Sequence, residues 1–111
     1  MTSWDYATVK YSPSGVRQWV QRYAGFNQGG ADVARSISVD DAGNVYVTGL
    51  SAGDIFPNEY DYATLKYNSA GVVQWIQRYN GPSNRNDQAY SIALDSIGNV
   101  YVTGESYDNG T

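Results

Sequence analysis

The chain has 111 residues, room for about one small domain, and its 41% hydrophobic and 14% aromatic content, with 11 Tyr and 12 Gly, suits a turn-rich β protein rather than a disordered segment. A net charge of -4 with only 7 scattered Lys and Arg excludes the clustered cations that a phosphate backbone requires. There is no Cys and no His, which removes disulfides, thiolate chemistry, the commonest general base and the commonest transition-metal ligand. No apolar run approaches the roughly 20 residues that span a bilayer, and the first residues lack the basic and apolar regions of a signal peptide. The expectation is a protein with no nucleic-acid partner, no membrane span, no metal and no cofactor.

The elements repeat in chain order. Residues 5–11, Asp-Tyr-Ala-Thr-Val-Lys-Tyr, return at 61–67 with one change, an offset of 56. Residues 15–23, Gly-Val-Arg-Gln-Trp-Val-Gln-Arg-Tyr, return at 71–79 with two changes and the same offset. Ser36-Ile37 and Asp40 match Ser91-Ile92 and Asp95, and Gly-Asn-Val-Tyr-Val-Thr-Gly at 43–49 is identical to 98–104, both at an offset of 55. Each unit offers four strand-like runs, read in the first copy as 6–11, 16–23, 34–39 and 45–49. Gly49 and Gly104 close the last run, and β-branched and aromatic residues fill it.

Short links join two of these pairs. Ser12-Pro13-Ser14-Gly15, Asn68-Ser69-Ala70-Gly71, Asp40-Asp41-Ala42-Gly43 and Asp95-Ser96-Ile97-Gly98 share one grammar, a turn-forming polar residue first and Gly last. The longer links are polar and Gly-rich and read as surface loops. No helical period persists. Four antiparallel strands recurring every 55 to 56 residues predict an all-β fold of β-propeller blades, two per chain.

The spacing of the ends sets the phase. From Gly49 to Asp61 is 12 positions, and the 7 residues after Gly104 joined to the 5 that lead to Asp5 of a following copy make the same interval. The first repeat runs from about 5 to 60, and the second from about 61 to 111, continuing into residues 1–4 of a neighbouring chain; one two-blade unit occupies 1–111. The register is therefore interrupted mid-blade, with bare strand edges at both ends that template pairing. The expected outcome is a homo-oligomer whose ring closes when the C-terminal strand pair of one subunit meets the N-terminal pair of the next.

These motifs together resemble the bacterial and archaeal seven-bladed β-propeller repeat of large secreted or cell-surface proteins. The resemblance implies the blade architecture and a secreted or cell-surface parent protein, and implies no ligand or activity. Two-blade subunits cannot sum to seven, so an even ring is expected: six blades from a trimer or eight from a tetramer. The spacing of Gly15 to Trp19 and Gly71 to Trp75 is also similar to the tryptophan motif of quinoprotein propellers. That likeness implies inter-blade packing for Trp19 and Trp75, with Tyr23 and Tyr79 beside them, and no quinone cofactor.

No nucleophile and base pair is present, so no catalytic residue is assigned and the function expected is a non-enzymatic scaffold that presents loops. Asp5, Asp61, Asp40 and Asp95 recur and read as turn caps and ion pairs in preference to ligands. Asp40 to Asn44 does not match a Ca²⁺ loop. The candidates for a glycan or protein ligand lie in the long loops: Asn27, Gln28 and Asp32, and Asn84, Arg85, Asn86 and Asp87. A lectin-like, carbohydrate-binding module is the alternative they would serve.

Overall fold

The computed structural model describes residues 4–25, 30–53, 59–81 and 85–107. Eight strands follow one another: β1 (Tyr6–Tyr11), β2 (Arg17–Tyr23), β3 (Asp32–Val39), β4 (Val45–Ala52), β5 (Tyr60–Tyr67), β6 (Val73–Tyr79), β7 (Asp87–Leu94) and β8 (Val100–Ser106). No described residue is helical. All pairings are antiparallel, and they divide the chain into a two-stranded β1-β2 sheet, a four-stranded β3-β4-β5-β6 sheet and a two-stranded β7-β8 sheet. One blade is complete, and the two-stranded sheets that flank it correspond to its β5-β6 pair and its β3-β4 pair.

The turn grammar explains the hairpins. In each, the Gly N–H donates to the carbonyl of the polar residue three positions earlier, as Gly15 does to Ser12 at 2.9 Å and Gly71 to Asn68 at 2.9 Å. The four turn glycines have φ between 85° and 92°, the left-handed region where a Cβ is strained. The polar side chain finishes the turn: Asp40 Oδ1 accepts from the N–H of Ala42 at 3.0 Å and of Asn44 at 2.9 Å, and Asp95 does the same for Ile97 and Asn99.

Two strands run further than the sequence predicts. β3 begins at Asp32 and β4 continues past Gly49 to Ala52, so Gly49 lies inside a strand instead of closing it. The reason is a β-bulge between Ala34 and Ser36 that sets Gly49 opposite Ala34. A Cβ at Gly49 would meet the Val33 carbonyl, so only Gly lets the backbones approach this closely and the ladder go on.

The core lies between sheets. Tyr6 of β1 packs with Val45 and Val47 of β4 and Ala63, Leu65 and Tyr67 of β5, and Trp19 and Tyr23 of β2 pack against that cluster. Burial of the Tyr6 ring is matched by a hydrogen bond, its hydroxyl donating to the Ala63 carbonyl at 2.8 Å. Burial also pushes the Tyr6 phenol well above its ordinary pKa, so it stays neutral.

Candidate functional site

The features that could do something specific are concentrated at the two open blade edges and at a polar clamp beside the complete blade. The clamp begins with Asp32, buried at the start of β3. Its carboxylate accepts from the Ser51 hydroxyl and, at 3.1 Å, from the Gly25 N–H. Arg78 of β6 completes it: Nη1 donates to Ser51 Oγ at 2.8 Å and to the Tyr23 hydroxyl at 2.9 Å, while Nη2 reaches the Ser51 and Ala52 carbonyls at 3.0 Å and Asp61 Oδ2 at 3.1 Å. A guanidinium thereby joins three strands of one blade and the outer strand of the blade before it. Its charge pairs with the Asp61 carboxylate and is linked to Asp32 through the Ser51 hydroxyl, the condition under which buried charges are tolerated.

Position by position, the second copy holds the same groups without the cation. Asp87 is fully buried, and its carboxylate accepts from the Ser106 hydroxyl and, at 2.8 Å, from the Gly81 N–H. Among the described residues no Lys or Arg forms an ion pair with it. The residue equivalent to Arg78 is Arg22, on β2 at the far end of the chain; its side chain is 65% exposed and pairs with Asp5 at 3.3 Å.

The apolar edges show the same asymmetry. Tyr46 in β4 is 2% exposed, and Tyr101, at the same place in the identical β8 stretch, is 57% exposed. β4 is covered by β5, whereas the corresponding edge of β8 pairs with no described strand. A groove of about 270 Å³ opens beside β8, lined by Tyr62, Thr64, Trp75, Tyr79, Val100 and Val102. A second, of about 380 Å³, opens beside β1 between Ala7, Thr8 and Val9 on one side and Ala34, Ile37 and Val47 on the other.

Of the packing residues named from the sequence, Trp19 and Tyr23 reach the neighbouring sheet, Tyr23 through Arg78, while the ring contacts of Trp75 and Tyr79 stay within their own sheet. The Trp19 indole N–H donates to the Ser69 carbonyl at 3.1 Å, in the β5-β6 turn of the next sheet, and its ring stands 5.7 Å from Tyr67. Tyr23 meets Tyr6 edge-on at 5.4 Å. Trp75 stands 6.3 Å from Tyr46 and Tyr79 is 5.3 Å from Tyr62, both at the margin of the first groove.

Of the loop candidates, Asn27, Gln28 and Asn84 lie outside the described residues. Asp32 and Asp87 are the buried acceptors just described and do not share a surface with the others. Arg85 stands over the Tyr107 ring at 4.8 Å and 3.9 Å from Glu59, and Asn86 accepts from the N–H of Tyr60 through Oδ1 and of Tyr107 through its carbonyl. The structure thus brings Arg85 and Asn86 together with Tyr107 and Glu59 at one corner. One further pair escapes the repeat: Arg35 and Tyr90 occupy equivalent positions at the bulges of β3 and β7, and the guanidinium stands 5.5 Å from the ring centre. Among the described residues no group of three or more acidic side chains could hold a metal.

Stacked antiparallel sheets, four strands in the complete one and docked face to face by aromatic side chains, define a β-propeller. The chain belongs to the SBBP β-propeller repeat family, whose pattern matches residues 18–57 and 74–110. It is also similar to an uncharacterized WD repeat-containing protein of Acanthamoeba polyphaga mimivirus, 28% identical over 103 residues. That match takes in 78% of this chain and 7% of the length of the viral protein. Both likenesses point to a scaffold-type fold.

Proposed function

We propose that this chain is a non-catalytic scaffold unit that assembles with copies of itself into a closed propeller, of six blades as a trimer or eight as a tetramer, and presents its loops for binding outside the cell or at its surface. One observation carries the reading: β4 and β8 share the sequence Val-Tyr-Val-Thr-Gly, yet Tyr46 is 2% exposed and Tyr101 57%. The same sequence is covered only where a β5-like strand lies beside it, and β1 is the strand of that sequence whose second edge pairs with no described strand. Light scattering tests the reading. The expected particle contains three or four chains of 12.2 kDa, and a monodisperse folded monomer across the micromolar range would overturn it.

What the loops would bind is a separate question. The exposed corner formed by Tyr107, Arg85, Asn86 and Glu59 combines an aromatic face with donors and acceptors, the kind of surface a saccharide uses. A glycan array in which Arg85→Ala abolishes a hit supports that reading, and an array without hits removes it.

A further inference from the structure

The interface that this assembly would use can be read from the complete blade. β4 pairs with β5 so that Val45 faces Tyr67, Thr48 faces Thr64 and Ser51 faces Asp61. Shifting β4 forward by 55 residues and β5 back by 56 gives β8 and β1. In that register Val100 faces Tyr11, Thr103 faces Thr8 and Ser106 faces Asp5 of a second copy. Resting on the self-assembly proposed above, we infer that β1 of one copy docks on β8 of another in this register, and that its Arg22 supplies the cation that the buried Asp87–Ser106 pair lacks.

Three independent features fit one occupant. The first is charge. Asp87 is buried at 0% exposure beside Ser106, in the arrangement that Asp32 and Ser51 share with Arg78, and no described cation pairs with it. An unneutralised buried carboxylate is costly, and Arg22, with Asp5 already at its side, is the guanidinium in the matching position.

The second is shape. The core beside β4 needs Tyr6, Trp19 and Tyr23 from one sheet and Val45, Val47, Ala63, Leu65 and Tyr67 from the next. The groove beside β8 already contains Tyr62, Trp75, Tyr79, Val100 and Val102, the counterparts of the first five. The counterparts of the remaining three are Ala7, Val9 and Tyr11, which are exposed on β1.

The third is the turn. Gly71 lies under the Trp19 ring, its notional Cβ 2.7 Å from the indole, whereas nothing comes within 4 Å of that position at Gly15. The docked β1-β2 turn would bring Gly15 of the partner subunit beneath Trp75, whose indole N–H would donate to the carbonyl of the partner's Pro13 as Trp19 does to Ser69.

Cysteine pairing tests the register in a chain with no Cys of its own. The Thr48 and Thr64 hydroxyls are 3.0 Å apart, so sulfur atoms at the matching positions would be in bonding reach. Chains carrying Thr8→Cys with Thr103→Cys should form, on mild oxidation, covalent multimers that end at the size of the ring and collapse on reduction. Val9→Cys with Thr103→Cys places the side chains on opposite faces and should not. Preferential cross-linking of the second pair overturns the register while leaving self-assembly standing; absence of any oligomer by light scattering removes both.

Arg22→Ala tests the cation. It should raise the concentration at which the ring dissociates by at least about tenfold. In an Asp87→Asn background, which keeps an oxygen for the Gly81 N–H and offers an amide N–H to the Ser106 hydroxyl oxygen, the same substitution should have a clearly smaller effect. Equal effects in the two backgrounds would overturn the Arg22 assignment.

Discussion

Trp19 and Gly71 meet across the boundary between two sheets: the indole lies on the left-handed glycine of the β5-β6 turn and donates to the carbonyl of Ser69 two residues before it. A side chain at Gly71 would both strain a φ of 85° and displace the ring. Gly71→Ala should destabilise the fold by roughly 2 kcal/mol or more, read as a lowered urea midpoint. Gly15→Ala carries the same φ strain in open space, so its effect should exceed strain alone only in assembled material.

Arg78 is 14% exposed and links Asp32, through Ser51, with Asp61 and Tyr23. Arg78→Ala removes the cation from a buried network and should cost about 3–5 kcal/mol. Arg78→Lys should recover little of this, because an ammonium cannot match the planar fork whose Nη1 serves Ser51 Oγ and the Tyr23 hydroxyl while Nη2 serves the Ser51 and Ala52 carbonyls and Asp61. Thermal unfolding of the two variants beside the parent checks the order.

Tyr6→Phe leaves the ring packing in place and deletes the hydroxyl that donates to Ala63. The expected loss is about 1 kcal/mol, measured by chemical denaturation. A larger loss would mean that the hydroxyl does more than satisfy one carbonyl.

Acid should loosen the two hairpins headed by Asp40 and Asp95. Hydrogen bonds from the Asn44 and Asn99 side chains come first among the causes that hold these carboxyls below the usual carboxylate value, followed by backbone N–H donors and the Tyr46 and Tyr101 hydroxyls. A depressed folded pKa contributes stability that is present above the unfolded value near ~4 and is lost as pH falls through the folded one. Asp40→Asn with Asp95→Asn should therefore be less stable than the parent at neutral pH. The difference should narrow below about pH 4, and a pH-independent difference would refute the account.

The blade itself was legible because its causes are local: a polar residue and a left-handed Gly at each hairpin, and alternating β-branched and aromatic residues between them. The mid-blade phase was legible too, since the interval from Gly49 to Asp61 sets how far β4 and β5 can separate, and they pair. The clamp was not. Its Ser51 lies beyond a Gly that reads as the end of a strand, and its Asp32 lies in what reads as a loop; the bulge that extends both strands depends on close backbone approach, which a residue string does not display. A signal was nevertheless available, because Asp32 with Ser51 and Asp87 with Ser106 recur at one offset of 55. Grouping Asp32 and Asp87 with the irregular loop residues conceals that repetition. Arg35 and Tyr90, which do break the repeat, are masked by the Ser-Ile motif beside them, which aligns the two copies without them.

The division of strands into two, four and two has a kinetic meaning. A seam between blades would consist of side chains that can slide or separate individually, but a seam within a blade is a backbone ladder whose bonds must open in sequence. A ring joined through β8 and β1 would therefore exchange subunits slowly once closed. Tagged and untagged rings mixed after assembly would come to share a particle only slowly, and sooner once diluted to where the ring dissociates.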